Sequence, residues 1–157
     1  MAVEQRAFLD TSILVSGLIE ADEVPGPAHA IMDAIADGRI TRPMTAWHCV
    51  LEFYSVATRL PGGLKLDPRL AEQLVREEIL ARFDVHDIPQ AARQRFLDSL
   101  VHERVTGGRV YDAHIAEAAR LAGAEVVVTD NRRHFVPLMR YGIRVLTAEE
   151  FAGAYAS

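Results

Sequence analysis

Four acids in this sequence are placed differently from the others. Most of its carboxylates lie among polar residues on helical stretches, where water and neighbouring cations account for them. Asp10 follows directly on the apolar run RAFL and precedes Thr11-Ser12, and Asp130 follows directly on EVVVT. Asp112, in GGRVYDAHIAEAAR, shares a helical face with Ile115, Ala116 and Ala119, so it leans inward near the start of a helix. Glu52, in HCVLEFYSVATRL, has His48, Cys49, Ser55 and Val56 as helical neighbours and borders an apolar stripe. Each has an ordinary role when taken singly. Asp10 suits a helix N-cap, Asp112 complements a helix dipole, and Glu52 reads as a snorkelling or ion-paired side chain. Taken together, two acids at strand ends and two on inward-leaning helix faces can converge on one pocket. Close like charges repel, and a divalent cation is what neutralises them. An all-oxygen donor set suits Mg²⁺ or Mn²⁺ and not zinc or copper. None of the six histidines forms an HxH or HExxH spacing, and the single cysteine, Cys49, excludes both a cysteine zinc site and an intramolecular disulfide.

The elements that must position these acids alternate between short apolar runs and longer helical stretches. The pattern predicts one three-layer α/β domain over residues 1–157, with about five mainly parallel strands and helices on both faces. Strands are expected at Arg6 to Leu9, Arg39 to Arg42 (weak), Phe83 to Ile88, Glu125 to Thr129 and Ile143 to Leu146. Helices are expected from Thr11 to Ile19 and from Pro25-Pro27 to Asp37, with Gly38 as C-cap. A third starts at Thr45 as N-cap and runs to Leu60, ended by Pro61-Gly62-Gly63, and Asp67-Pro68 opens a fourth to about Ala81. Others run from Pro89 to Glu103 and from Val110 to Leu121, and a last one is capped by Thr147 with Glu150 completing a capping box. In a parallel sheet Asp10 and Asp130 then share the carboxyl edge, where open α/β folds bind ligands at a topological switch point.

The chain has 157 residues, half of them hydrophobic and a quarter charged, which excludes disorder, collagen-like repeats and a disulfide-stapled scaffold. Its 17 basic and 22 acidic residues argue against a protein that coats nucleic acid through bulk charge, though not against an enzyme holding it through a local patch. The balance is uneven. Seven arginines face five acids between Val101 and Arg144, a small local excess that a solvated face also explains. No stretch approaches the roughly 20 apolar residues of a membrane helix, and MAVEQRAFLD lacks a basic region followed by an apolar one. A cytoplasmic location without membrane contact is the expectation.

FLDTSILVSGL, LEFYSVATRL and GRVYDAHIAEAARLAGAEVVVTDNRRHF together resemble a PIN domain over essentially the whole chain. More narrowly they resemble the VapC-type toxin ribonucleases of bacterial toxin–antitoxin pairs. The resemblance matches Asp10, Glu52 and Asp112 to the family's acidic triad, with Asp130 or Asn131 at the more variable fourth place. It implies a metal-dependent endoribonuclease acting on RNA as the toxin of such a pair. The alternatives are a PIN-type nuclease of RNA processing and a non-catalytic PIN-like module.

On that reading Asp10, Asp112 and Asp130 hold Mg²⁺ or Mn²⁺, while Glu52 holds a second ion or orients the attacking water. Asn131 supports the shell through its amide, and Thr11 and Ser12 offer hydroxyls and N–H groups to an anionic oxygen. Arg132 and Arg133, just past the acidic turn, contact flanking phosphates or are solvated loop cations. Trp47 and Tyr54, near Val50 and Leu51, read as core. The expected partners are an RNA substrate, a small cognate antitoxin and a second copy in a homodimer. The helices around Leu51 to Leu60 and Leu70 to Leu80 line the antitoxin's groove beside the active site or a homodimer interface, or simply pack in the core. A haloacid-dehalogenase-like phosphatase, which also puts an Asp after its first strand, is disfavoured. It needs a second Asp where Ser12 stands and a late lysine, whereas Lys65 is the only lysine.

Overall fold

The computed structural model describes residues 5–19 and 23–156. Residues 1–4, part of the opening read for a leader, lie outside the described residues. The strands are β1 (Ala7–Leu9), β2 (Met44–Ala46), β3 (Asp84–His86), β4 (Val126–Val128) and β5 (Arg144–Leu146). The helices are α1 (Thr11–Leu18), α2 (Pro27–Ala36), α3 (Trp47–Ala57), α4 (Pro68–Leu74), α5 (Arg93–His102), α6 (Arg109–Leu121) and α7 (Ala148–Tyr155). Shorter turns complete the chain, among them a π-helical segment at Val75–Leu80 that continues α4. The five strands form one sheet in the order β3-β2-β1-β4-β5, and all four neighbouring pairs are parallel.

Every residue of β1, β2 and β4 is buried. Successive strand side chains point to opposite faces, so full burial means that both faces of the sheet are covered. α1, α2 and α7 pack together, α3 bridges β2 and α1, and α6 lies against β2 and α5. Phe8, Phe53, Phe135 and Phe151 are fully enclosed and anchor the core. Among the described residues no helix is long and apolar enough to cross a membrane.

Three readings of the sequence are corrected here. The second strand is Met44–Ala46 and not Arg39 to Arg42. Gly38 adopts a left-handed φ of 73°, and the amides of Arg39 and Ile40 bond back to the Ala34 carbonyl, so this stretch is consumed in ending α2. Thr45 is therefore not a cap but a fully buried strand residue, its hydroxyl donating to the Leu9 carbonyl at 2.8 Å. Helix α3 starts after Ala46 with no side-chain cap and stops at Ala57, short of Leu60. Third, Trp47 and Tyr54 are exposed, and with Leu51 they form an outward i, i+4, i+7 stripe on α3. The caps at Asp67 and Thr147 are as expected, the latter with its reciprocal Glu150 bond.

Gly17 sits where α1 meets α2. A Cβ there would lie 2.4 Å from Met32 Cγ and 2.9 Å from the Ala28 carbonyl oxygen, whereas one at Gly153 in α7 would meet nothing. Gly17→Ala should cost about 1–3 kcal/mol in urea denaturation through overpacking. Gly153→Ala should be neutral or gain up to about 1 kcal/mol from helix propensity. Equal effects of the two changes would show that α1 and α2 do not pack closely.

Candidate active site

The register of the sheet explains where the acids meet. Ala7, Phe8 and Leu9 pair with Val126, Val127 and Val128, so Asp10 and Thr129 emerge side by side at the carboxyl edge. β1 has β2 on one side and β4 on the other, the point where chain order reverses and a crevice opens. β2 leads straight into α3, which brings Glu52 to this edge. α6 precedes a parallel strand and must run back along the sheet, so its first turn, carrying Asp112, also starts at the carboxyl edge.

Asp10 is buried, with 5 % of its surface exposed. Its Oδ2 accepts the Thr129 hydroxyl at 2.8 Å and, more distantly, that of Ser12 at 3.4 Å. Its Oδ1 accepts the Thr11 N–H at 2.8 Å, and its carbonyl accepts from Ile13 and Leu14. The residue thus caps α1 and presents a desolvated carboxylate at the same time. Burial raises its pKa above the ordinary 3.8, the Thr129 and Thr11 bonds oppose that rise, and the charges of Glu52 and Asp112 add to it. These three acids therefore stand within electrostatic reach of one another. Beneath them, burial holds the Cys49 thiol at about 12, so it stays protonated and inert.

Two of the acids have histidine partners. His48 Nε2 lies 2.6 Å from Glu52 Oε1 along α3, and His134 Nδ1 lies 3.0 Å from Asp112 Oδ2 across the chain. The His48 ring stacks on Tyr111 with centroids 5.3 Å apart, and His114 meets it edge-on. Among the described residues no three His, Cys, Asp or Glu side chains form a ready coordination shell. The donor chemistry nonetheless fits a hard divalent cation: three carboxylates, one of them desolvated and further disfavoured by the charges of the other two. Asp112 would exchange His134 for the cation to complete such a shell.

The remaining candidates divide. Ser12 accepts the Asp130 N–H at 3.2 Å, and Thr129 Oγ1 accepts the Asn131 N–H at 2.9 Å, which ties the loop after β4 to the start of α1. The Asp130 side chain is exposed and lines a separate depression with Ser16, His29 and Glu149. Arg132 pairs with Glu150 at 3.0 Å, away from the site, while Arg133 lines a cleft together with Asp112 and His134. The sequence reading missed Thr129, whose signal is a lone hydroxyl residue closing a strand before an acid. It also missed the role of His48, visible as an i, i+4 partner of Glu52.

A PIN domain profile matches residues 6–133, and the chain belongs to that family. Ribonuclease VapC27 of Mycobacterium tuberculosis is 38% identical over 85 residues, covering 54% of this chain and 60% of the relative. The chain thus spans less than two thirds of that curated relative. Among solved structures, PAE2754 from Pyrobaculum aerophilum superposes with a TM-score of 0.61 at 21% identity, covering 99% of this chain and 92% of that one. VapC20 of Mycobacterium tuberculosis, described as a sarcin-ricin loop cleaving toxin, gives 0.56 at 18% identity, covering 77% and 86%. At these identities the likeness to the solved structures is one of fold.

Asp10 supplies a pH test. A carboxyl whose folded pKa lies above its unfolded value binds more protons when folded, so stability is highest at low pH on its account. That contribution fades as pH climbs from about 3.8 through the raised folded value. The metal-free protein should carry this penalty at neutral pH. Asp10→Asn should remove it, leaving the melting temperature unchanged or higher at pH 7. A sharp loss of stability in Asp10→Asn, measured calorimetrically in EDTA, would show that hydrogen bonding outweighs repulsion at this position.

Proposed function

We propose that this protein is a metal-dependent endoribonuclease acting as the toxin of a toxin–antitoxin pair. The observation that carries the catalytic part is Asp10, buried at the switch point with Glu52 and Asp112 within electrostatic reach. VapC27, the ribonuclease relative, and VapC20, the sarcin-ricin loop cleaving toxin of the same fold, support the reading.

Asp10 and Asp112 would hold Mg²⁺ or Mn²⁺, with the loop of Asp130 and Asn131 supplying a fourth group. When bound, such an ion withdraws charge from a phosphate oxygen and makes a neighbouring water more acidic. Thr129 and Thr11 fix Asp10 in one orientation, so the carboxylate needs no rearrangement on binding. Glu52 orients the attacking water and receives its proton, with the His48 ring nitrogen 2.6 Å from its carboxylate. Thr11 and Ser12, at the start of α1, face the anionic oxygens. In-line displacement leaves a 5′-phosphate and a 3′-hydroxyl.

The same acids are a target for inhibition. A small antitoxin presenting Arg or Lys to Asp10, Glu52 and Asp112 would compete with the cation. The exposed stripe of Trp47, Leu51 and Tyr54 beside Glu52 offers such a partner, or a second copy of the chain, an apolar surface.

Cleavage of single-stranded RNA should require Mg²⁺ or Mn²⁺ and stop in EDTA. Asp10→Asn, Glu52→Gln and Asp112→Asn should each lower kcat/KM by about a hundredfold or more. Asp130→Ala and Asn131→Ala should differ from one another in Mn²⁺ affinity by calorimetry, the true ligand being the more damaging. Unaltered cleavage in excess chelator would sink the mechanism. A harmless, partnerless protein that still cuts RNA would leave a processing nuclease in place of a toxin.

A further inference from the structure

A second feature adjoins the acidic site. Between α5, α6 and the turn Val136–Tyr141 lies a cleft of about 310 Å³, and Asp112, Arg133 and His134 form part of its wall. Its volume sits at the lower end of the range for small-ligand pockets, which is about 300–1,000 Å³. The floor is apolar, with Phe96, Leu100, Ala116 and Leu138. The rim is cationic: Arg95, Arg109, Arg120, Arg133 and Arg140 against the acids Glu103, Asp112 and Glu117. That excess of positive charge stands in a chain whose net charge is −5. Four of the five arginines belong to the basic-leaning stretch between Val101 and Arg144, so the fold gathers a diffuse bias into one place.

The five arginines are of two kinds. Arg120 is paired with Glu117 and Arg140 with Glu103, and both guanidinium carbons lie 5.0 Å from the centre of the Tyr141 ring. They are held in place at the far end. Arg95, Arg109 and Arg133 have no hydrogen-bonded or ion-paired partner among the described residues. Unpaired guanidinium groups around an apolar floor, next to a carboxylate of the catalytic set, match a ligand with a flat apolar ring and an adjoining anion. A nucleotide of a single strand has that composition.

We propose that this cleft seats a nucleotide neighbouring the scissile phosphate. Its base lies on the Phe96–Leu138 floor, and Arg95, Arg109 and Arg133 hold its phosphates. The inference rests on the ribonuclease reading, because Asp112 is shared by both sites and continuity through it is what makes the ligand an RNA strand.

The test compares wild type with an Arg95→Ala/Arg109→Ala double variant on a short, fluorescent, mixed-sequence single-stranded oligoribonucleotide. Arg69→Ala, on α4 and outside the cleft, is the control. Melting curves confirm that each variant is folded. The double variant should raise KM about tenfold with kcat nearly unchanged, because phosphate contacts that are uniform along the reaction path affect binding alone. In EDTA it should bind the same oligonucleotide with a salt dependence flatter by about 0.7 per lost contact. Arg69→Ala should change neither. Unaltered KM and salt slope in the double variant, with wild type still cleaving, would overturn the cleft and leave the ribonuclease standing. The same result accompanied by loss of a co-expressed small protein would assign the cleft to a protein partner and also overturn it. Wild type that cleaves no RNA would remove both readings.

Discussion

The burial of the Asp10 carboxylate is the constraint on which the rest of the site depends. Taking a carboxylate out of water costs several kcal/mol unless partners replace the lost hydration. The Thr129 hydroxyl and the Thr11 N–H supply part of that replacement, the first in place because β1 and β4 pair in a single register and the second because α1 starts at the next residue. Glu52 and Asp112 act in the opposite direction. The imbalance that raises the affinity of Asp10 for a proton would equally favour a divalent cation. One parallel pairing thus fixes the position of the acid, and its electrostatic surroundings define the chemistry available to it.

The histidines adjust this balance without removing it. His48 and His134 each stand against one of the flanking acids, and His48 is braced by Tyr111 and His114. Among the described residues Asp10 has no such partner: its contacts are neutral hydroxyl and amide donors. The central acid is held rigidly by the backbone and the sheet, and the outer two by groups that a competing cation can displace. A site built this way keeps its most buried ligand preorganised and leaves adaptation to side chains nearer the solvent.

Charge is also segregated along the molecule. The chain is acidic as a whole, yet the cleft that continues from Asp112 is bordered by five arginines. Acids at the sheet edge and cations on α5, on α6 and in the segment after β4 make a surface with two adjoining polarities. A polyanion that must be both attracted and brought against carboxylates meets those two requirements in two places and not in one.

The sequence by itself determined what depends on neighbours in the chain. The EVVVT run reads as a buried strand, the Thr147–Glu150 pair as a capping box, and Asp67-Pro68 as a helix start, and each is found so. The unusual placement of Asp10, Glu52 and Asp112 was legible as well, because strand ends and helical faces have fixed periods. Only the tertiary structure decided what depends on register and on contacts between distant segments. Thr45 reads locally as a cap and becomes a core strand residue because its hydroxyl reaches Leu9 on the next strand. Asp130 and Asp10 both follow strands, yet Asp10 is buried and Asp130 is exposed at the border of a depression with His29. Trp47 and Tyr54 look apolar enough for the core and lie outside it, since α3 buries the opposite face with Cys49, Val50 and Phe53. His134 meets Asp112, and Arg95 joins Arg133 around one cleft, across separations that no local pattern encodes.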